Sequence, residues 1–380
     1  MSLRVILATR LFPPEVGAAA FRLKALATAL QESGVAVKVL TSVPPAEYTV
    51  ESGVSRWPVL RDSGGNVRGY VQYLSFDAPL FFRLLFSRAD VVVSEPPPTT
   101  GLVVAVTSWL RRRPYVYYAA DIWTDALIAI GAAAPVVAVM RWIEGVAVRN
   151  AAHVVAISEG VADRISQFRV APGRVSVAGN GIDTDTFRPD GETKTPGHPY
   201  FVYTGTMSEW QGAEVFIQAL TTLDDRPDVR LYFFGQGSSE GALRALAERV
   251  APGRVTFGGV ISPQESAAWI RGAAGALVSI VPGQGYDFAK PTKIYAAAAC
   301  GTPVVYAGAG ECASMVAENH LGESVPFEPR QAAQAMRRLL EGEDPHRDAR
   351  ISWVDKNASL QTAGERAAAA VLATRAQGRG

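Results

Sequence analysis

The sequence predicts an α/β protein built from two doubly wound parallel-sheet domains. Three observations carry that prediction. Short apolar runs recur along the chain, each followed by a loop marked by Gly or Pro and then by a stretch of helical periodicity, the sequence form of a parallel sheet covered on both faces. The series stops at 187–199, "FRPDGETKTPGHP", whose Pro, Gly and polar composition is that of a linker, and then starts again. The chain of 380 residues is also longer than one ordinary core serves. These place a first domain at 1–186, a second at 187–345 and a helical tail at 346–380.

The elements follow in order. "RVILAT" (Arg4–Thr9) reads as a buried strand, the loop "RLFPPEVGAAA" leads to an amphipathic helix over Phe21–Gln31, and Gly34 separates it from the strand "AVKVLTS". "ADVVVSEPPPTTG" is a strand running into a Pro-rich loop, and "RPYVYYAADIW" is a strand ending in acidic and aromatic residues. "AAHVVAISEGVADRI" gives strand, turn and helix, and "RVSVAGNGIDTDTFRP" closes the first half. Past the linker, "YFVYTGTMS" precedes a helix near 213–223, "VRLYFFGQGS" one near 239–250 and "RVTFGGVIS" one near 263–271. "GALVSIVPG" precedes an alanine-rich helix and "TPVVYAGAG" one at 311–318. The tail carries Trp353, an apolar anchor.

A formal net charge of +1 gives no global pull toward nucleic acid. Two cysteines, Cys300 and Cys312, make neither a disulfide framework nor a metal quartet, and the four histidines lack the i, i+4 spacing of a zinc helix. "MSLRVILATR" lacks the apolar core of a secretion signal, and the most apolar stretch, Ala126–Met140, falls short of the ~20 residues of a membrane span. The expectation is a cytoplasmic chain. "PLFFRLLFSR" and "WLRRRP" mix apolar and basic residues. They fit ordinary amphipathic helices packed on a sheet, with peripheral contact at the inner face of the plasma membrane as the alternative.

Doubly wound sheets bind ligands at the carboxyl ends of their strands, so the strand-end loops are where chemistry is expected. Gly17, ahead of three alanines at a helix start, suits either an anion at bare N–H groups or an ordinary turn. Gly205, Gly235 and Gly237 each follow a strand and would let a diphosphate or nucleoside lie against backbone. Of the 37 basic residues only six are lysine, and two of these flank Pro291 in "YDFAKPTKIYAAAACGTPVV". Pro291 suits a first helical turn, which puts Lys290 just before the helix and Lys293 inside its first turn. Cations there oppose the helix dipole unless an anion is present, so a phosphate clamp is expected. Glu311 opens the next helix, as a first-turn acid or as a carboxylate for sugar hydroxyls.

"FPPEVGAAAFRL", "SEPPPTTG", "DIWTDAL", "VVAISEGV", "VAGNGIDTDTFRP", "YTGTMSEWQG" and "PTKIYAAAACGTPVV" occur in the order seen in bacterial retaining glycosyltransferases of family 4, which the chain resembles over nearly its whole length. The nearest likeness is to the subgroup adding N-acetylfucosamine-type amino or deoxy sugars to O-antigen or capsule precursors. The resemblance implies the GT-B fold, two Rossmann-like domains facing across a cleft. It implies a nucleotide-diphosphosugar donor on the carboxyl-terminal half, an acceptor, lipid-linked in many relatives, on the amino-terminal half, and neither cofactor nor metal. Gly17, Gly205, Lys293 and the backbone around Val260 and Ile261 map onto positions touching phosphate and base. Asp121 maps onto the aspartate that orients acceptor or sugar ring, and Asp287 lies beside the donor segment. A final helix returning to the first domain would account for Trp353.

The departures from the family pattern are specific. Ala120 stands where relatives commonly carry histidine, Ala296 where they carry glutamate, and "SEWQG" replaces a basic pair with Glu209 and Gln211. Two functions are compatible with this. One is a transferase for a hydroxyl-poor donor, with both alanines facing the sugar. The other is a catalytically degenerate protein that serves as binding partner or scaffold for another transferase. An epimerase of the same architecture would need a histidine–carboxylate cluster that the sequence does not display.

Overall fold

The computed structural model describes residues 2–377 except 16, 46–47, 63–64, 66, 68, 130, 285 and 288. Its contacts divide the chain into two compact units, residues 1–180 with 360–380, and residues 181–359. In the first unit the elements are β1 (Arg4–Ala8), α1 (Ala18–Glu32), β2 (Ala36–Ser42), β3 (Val54–Trp57), α2 (Tyr70–Phe86), β4 (Val91–Ser94), α3 (Pro98–Leu110), β5 (Tyr115–Ala119), α4 (Trp123–Ala129), α5 (Ala134–Arg149), β6 (His153–Ala156), α6 (Glu159–Ser166) and β7 (Val175–Val177). The strands pair in parallel in the order β3-β2-β1-β4-β5-β6-β7.

The second unit contains β8 (Tyr200–Thr204), α7 (Glu214–Ala219), β9 (Arg230–Phe234), α8 (Glu240–Val250), β10 (Val255–Gly259), α9 (Pro263–Gly272), β11 (Gly275–Ser279), α10 (Thr292–Ala299), β12 (Val304–Ala307), α11 (Gly310–Glu318), β13 (Gly322–Val325), α12 (Pro329–Glu341) and α13 (Arg347–Asn357). Its parallel sheet runs β10-β9-β8-β11-β12-β13. The last helix, α14 (Leu360–Gln377), belongs to the first unit.

The central strands form because their sequences suit burial on both faces: VVVS of β4 and YVYYA of β5 are buried at every position. Apolar clusters lie on both sides of each sheet, one pair for each unit. Helix starts are fixed locally where a hydroxyl is available. Ser158 accepts the Val161 N–H at 3.2 Å to open α6, and Ser262 accepts the Glu265 N–H at 3.1 Å to open α9. The edge strands β3 and β13 have no continuous buried run and are held by pairing to β2 and β12.

The tail departs from its expected course. Helix α13 stays with the second unit: Arg350 is buried, donating to the Gly301 carbonyl at 2.9 Å and pairing with Asp344, and Trp353 packs on Tyr295 of α10 with ring centroids 6.1 Å apart. Trp353 therefore anchors the second unit, and only α14 rejoins the first. There its small residues permit a close approach to α1; a Cβ on Gly364 would meet the Ala25 backbone at 2.7 Å.

Candidate functional site

In a doubly wound sheet, strand order reverses at one point, and the loops leaving the two strands there diverge to opposite faces, opening a crevice at their carboxyl ends. In the second unit that point lies between β8 and β11. The loop after β8 begins at Gly205, whose φ of +112° is closed to most side chains. Its N–H donates to the Phe234 carbonyl at the end of β9, and the Gly235 N–H donates in turn to Gly259 at the end of β10. The two glycine loops lie backbone to backbone: a Cβ on Gly235 would sit 1.9 Å from the Gly205 carbonyl oxygen.

Lys293 reaches this turn from α10. Its Nζ lies 3.6 Å from the centre of the Tyr203 ring and donates to the Thr206 carbonyl at 3.3 Å. Among the described residues no ion pair involves it. Burial brings its pKa down to about 7, because the ammonium has lost water without gaining a carboxylate. The ring face and one carbonyl offset part of that loss.

The rest of the loop is braced rather than free. Gln211, buried, accepts the Tyr203 hydroxyl at 3.1 Å and the Ser208 N–H at 3.2 Å. The Ser279 hydroxyl at the end of β11 donates to the Gln211 carbonyl. Trp210 stacks on Tyr286 with centroids 4.6 Å apart, linking the loop after β8 to the loop after β11.

All the other candidates of this unit fall along the same edge. Val260, exposed, and Ile261 follow β10. Asp287 accepts the Gly283 N–H at 3.1 Å, so its carboxylate holds its own loop. Lys290 is not a second free cation: its Nζ is 3.3 Å from Glu311, because the loops after the adjacent strands β11 and β12 bring the start of α10 beside the start of α11. The expected clamp of two lysines is thus one free lysine and one ion pair, a partly exposed pair of small energetic weight. Ala296 is only 4% exposed and sits in the apolar cluster around α10, a core position rather than an open pocket wall.

The switch point of the first unit lies between β1 and β4. It is closed by charge. Glu95, directly after β4, accepts the Thr9 hydroxyl at 2.7 Å and pairs with Arg22 of α1 at 3.2 Å, all three side chains being buried. Burial pushes the Glu95 carboxyl above its usual range, with Arg22 and Thr9 opposing that shift. Asp121 follows β5 with its side chain in contact with solvent. The surrounding protein still raises its pKa, and Arg22 and Arg10 partly offset the rise. Ala120 beside it is half-buried. Gly17 precedes α1 with extended backbone, φ 169°, and a Cβ there would meet nothing within 4 Å. Neither conformation nor crowding requires glycine at that position. Val16 of the same loop lies outside the described residues.

Sequence reasoning did not single out Thr9, Arg22 and Glu95. Glu95 stood in "SEPPPTTG" immediately after a buried strand, which is a usable signal; Arg22 reads as the polar side of an amphipathic helix until its partner, 73 residues away, is placed beside it.

Known proteins bear on this geometry as follows. The family description "Glycosyl transferase 4-like domain" matches residues 17–181, and "Glycosyl transferases group 1" matches residues 198–342. The chain is 32% identical over 174 residues to a D-inositol 3-phosphate glycosyltransferase of Pseudarthrobacter chlorophenolicus, a match covering 42% of this chain and 40% of that protein. The chain spans about half the length of the curated relatives it matches, 40% and 58% in two cases. The structure of Anabaena Alr3699/HepE in complex with UDP-glucose shares the fold at a TM-score of 0.66 with 17% identity, covering 98% of this chain and 100% of that one. WaaG, a glycosyltransferase involved in lipopolysaccharide biosynthesis, gives the same score and identity over 97% of this chain and 99% of that one. These matches do not support the N-acetylfucosamine subgroup. With one family match on each unit and the GT-B fold over almost its full length, the chain belongs to the group 1, 4-like glycosyltransferases.

Proposed function

We propose that the chain transfers a sugar from a nucleotide-diphosphate donor to an acceptor hydroxyl, with retention and without a metal, and that the second unit holds the donor. The observation that carries this is Lys293: an ammonium without a carboxylate, held beneath a glycine turn at the switch point of a doubly wound sheet. Breaking the bond between sugar and diphosphate places negative charge on the leaving oxygen. Lys293 and the N–H groups at the starts of α10 and α11, which no side chain caps, are cationic features fixed before that charge develops. That HepE is solved with UDP-glucose is in keeping with a nucleotide-sugar donor. The acceptor falls to the first unit, where the Asp121 carboxyl, its pKa raised by the protein around it, orients the acceptor hydroxyl or the ring. A donor poor in hydroxyls is the narrower form of this proposal, and it rests on Ala120 alone, since Ala296 is interior and faces no pocket.

The test is release of nucleoside diphosphate from a set of UDP-, GDP-, ADP- and dTDP-sugars, with and without chelator. Turnover of at least one donor, unchanged by chelator and lost in Asp121→Asn, is the expected result. The core position of Ala296 favours a second reading, a binding protein without turnover, because no carboxylate on α10 faces a donor. Nucleotide binding with no release from any donor would select it.

A further inference from the structure

We infer that Tyr203 is a positioning residue of the proposed donor site: its ring and its hydroxyl together fix the Lys293 ammonium beside the Gly205 turn. The inference rests on the reading that the second unit holds the donor. Both contacts of the Lys293 Nζ run through Tyr203. The first is the ring face, whose centre is 3.6 Å away. The second is the Thr206 carbonyl at 3.3 Å, and that carbonyl also accepts the Tyr203 hydroxyl at 2.7 Å. One side chain thus supplies the floor under the cation and pins the acceptor beside it. The end of the lysine passes where Gly205 has no side chain; a Cβ there would stand 3.5 Å from Lys293 Cε.

The ring is held in place by its neighbours. Strands β8, β9 and β10 pair in parallel, and Tyr203, Phe233 and Phe257 stand opposite one another in register. Their rings form one column, with centroids 5.2 Å apart at the first step and 5.1 Å at the second. Tyr203 and Phe233 are fully buried. A cation closes each end, Lys293 over Tyr203 and Arg244 of α8 over Phe257. The two ends differ in charge. Arg244 is exposed and keeps a carboxylate, Glu240 at 2.8 Å, whereas Lys293 has none among the described residues. They differ in chemistry as well. Phenylalanine serves the packing at the other two places, and the one hydroxyl of the column stands at the Lys293 end, where it braces Thr206 and reaches Gln211 at 3.1 Å. Burial raises the Tyr203 phenol well above its usual range, with Glu214 adding to the rise. The hydroxyl therefore stays a neutral donor and never becomes a counter-charge for Lys293. An ammonium has three N–H groups; the carbonyl and the ring face take two, which leaves one for a diphosphate oxygen.

The experiment has two readouts on the full chain. Lysine labelled with carbon-13 at Cε gives one signal for each of the six lysines, and Lys293→Met identifies the one at this site. In the parent its Cε protons, held at a ring face, should lie upfield of the other five, and Tyr203→Leu should return them to the common position. The shift in the parent answers the question if Tyr203→Leu does not fold. Calorimetry with UDP, GDP, ADP and dTDP then measures what the contact does for binding. Tyr203→Phe keeps the column and should weaken the best-bound nucleotide by about three- to tenfold, the net size of one hydrogen bond. In Lys293→Met the same change should have no further effect, whereas packing acting on its own would cost as much in either background. An unshifted Lys293 signal overturns the inference. So does Tyr203→Phe binding as tightly as the parent, or a Tyr203→Phe loss that persists in Lys293→Met. A shifted signal with no nucleotide bound by the parent would remove the donor reading itself, and the positioning role with it.

Discussion

The two sheets reverse direction in the same way and use the reversal differently. Between β1 and β4, the space is closed by a buried carboxylate, its arginine and a threonine hydroxyl, each answering another. Between β8 and β11, a lysine stands alone under backbone that glycine brings close. In the first arrangement both carboxylate oxygens of Glu95 already have a protein partner. The second holds a cation that has lost water and that no carboxylate among the described residues pairs, a place where an anion would be stabilised. A paired charge and an unpaired one, at equivalent places in the same architecture, are the contrast on which the proposed donor site rests.

Breaking the closed side should have the largest effect. Arg22→Met leaves Glu95 buried without its cation, and unfolding in urea should show a loss of about 3–5 kcal/mol. Adding Glu95→Gln should restore at least half of it, since the stranded charge is then removed. A loss near zero in the single variant would mean that Glu95 is protonated or hydrated there.

The open side depends on backbone approach. Gly235→Ala places a methyl 1.9 Å from the Gly205 oxygen, at a residue with φ of +129°. Backbone strain and crowding together should cost about 2–4 kcal/mol, and the shift of the Gly205 turn should weaken nucleotide binding as well. A variant as stable as the parent would show that the two loops separate freely.

Lys293 also predicts a pH dependence. Its pKa stands at about 7 in the unliganded chain, and a bound diphosphate would raise it. Below that pH the ammonium is already present and binding is at full strength. Above it, binding must take up a proton, so affinity should fall with rising pH by up to about tenfold per unit, which is 1.36 kcal/mol. Lys293→Met should flatten that profile. The smallest effect belongs to Glu311→Gln, where losing a partly exposed pair with Lys290 should change stability by about 1 kcal/mol or less in the same urea assay.

Much of the fold was legible from period and punctuation alone. "AVKVLTS" is β2 residue for residue, and the helices expected near 239–250 and 263–271 begin and end within a residue of α8 and α9. Strand-end glycines and the lysine ahead of "IYAAAA" were visible because each is a local signal. The partner of Lys290 was not, since Glu311 lies across two loops that only the pairing of β11 with β12 brings together. The same holds for Arg22 and Glu95, and for α13, whose side of the chain is decided by Arg350 and Trp353 finding the Gly301 carbonyl and Tyr295. The four alanines of α10 are apolar in any reading, and only the packed helix shows Ala296 to be interior. What escaped the sequence is, in each case, a long-range partner.

The most direct measurement is calorimetric binding of UDP, GDP, ADP and dTDP to the parent chain, Lys293→Met and Lys290→Met. The unpaired lysine should dominate: at least one nucleoside diphosphate binds the parent, Lys293→Met weakens it tenfold or more, about 1.5–3 kcal/mol for a lost charge-assisted bond, and Lys290→Met changes it much less. Unchanged affinity in Lys293→Met, or a larger loss in Lys290→Met, would contradict the assignment of the β8–β11 switch point as the diphosphate site.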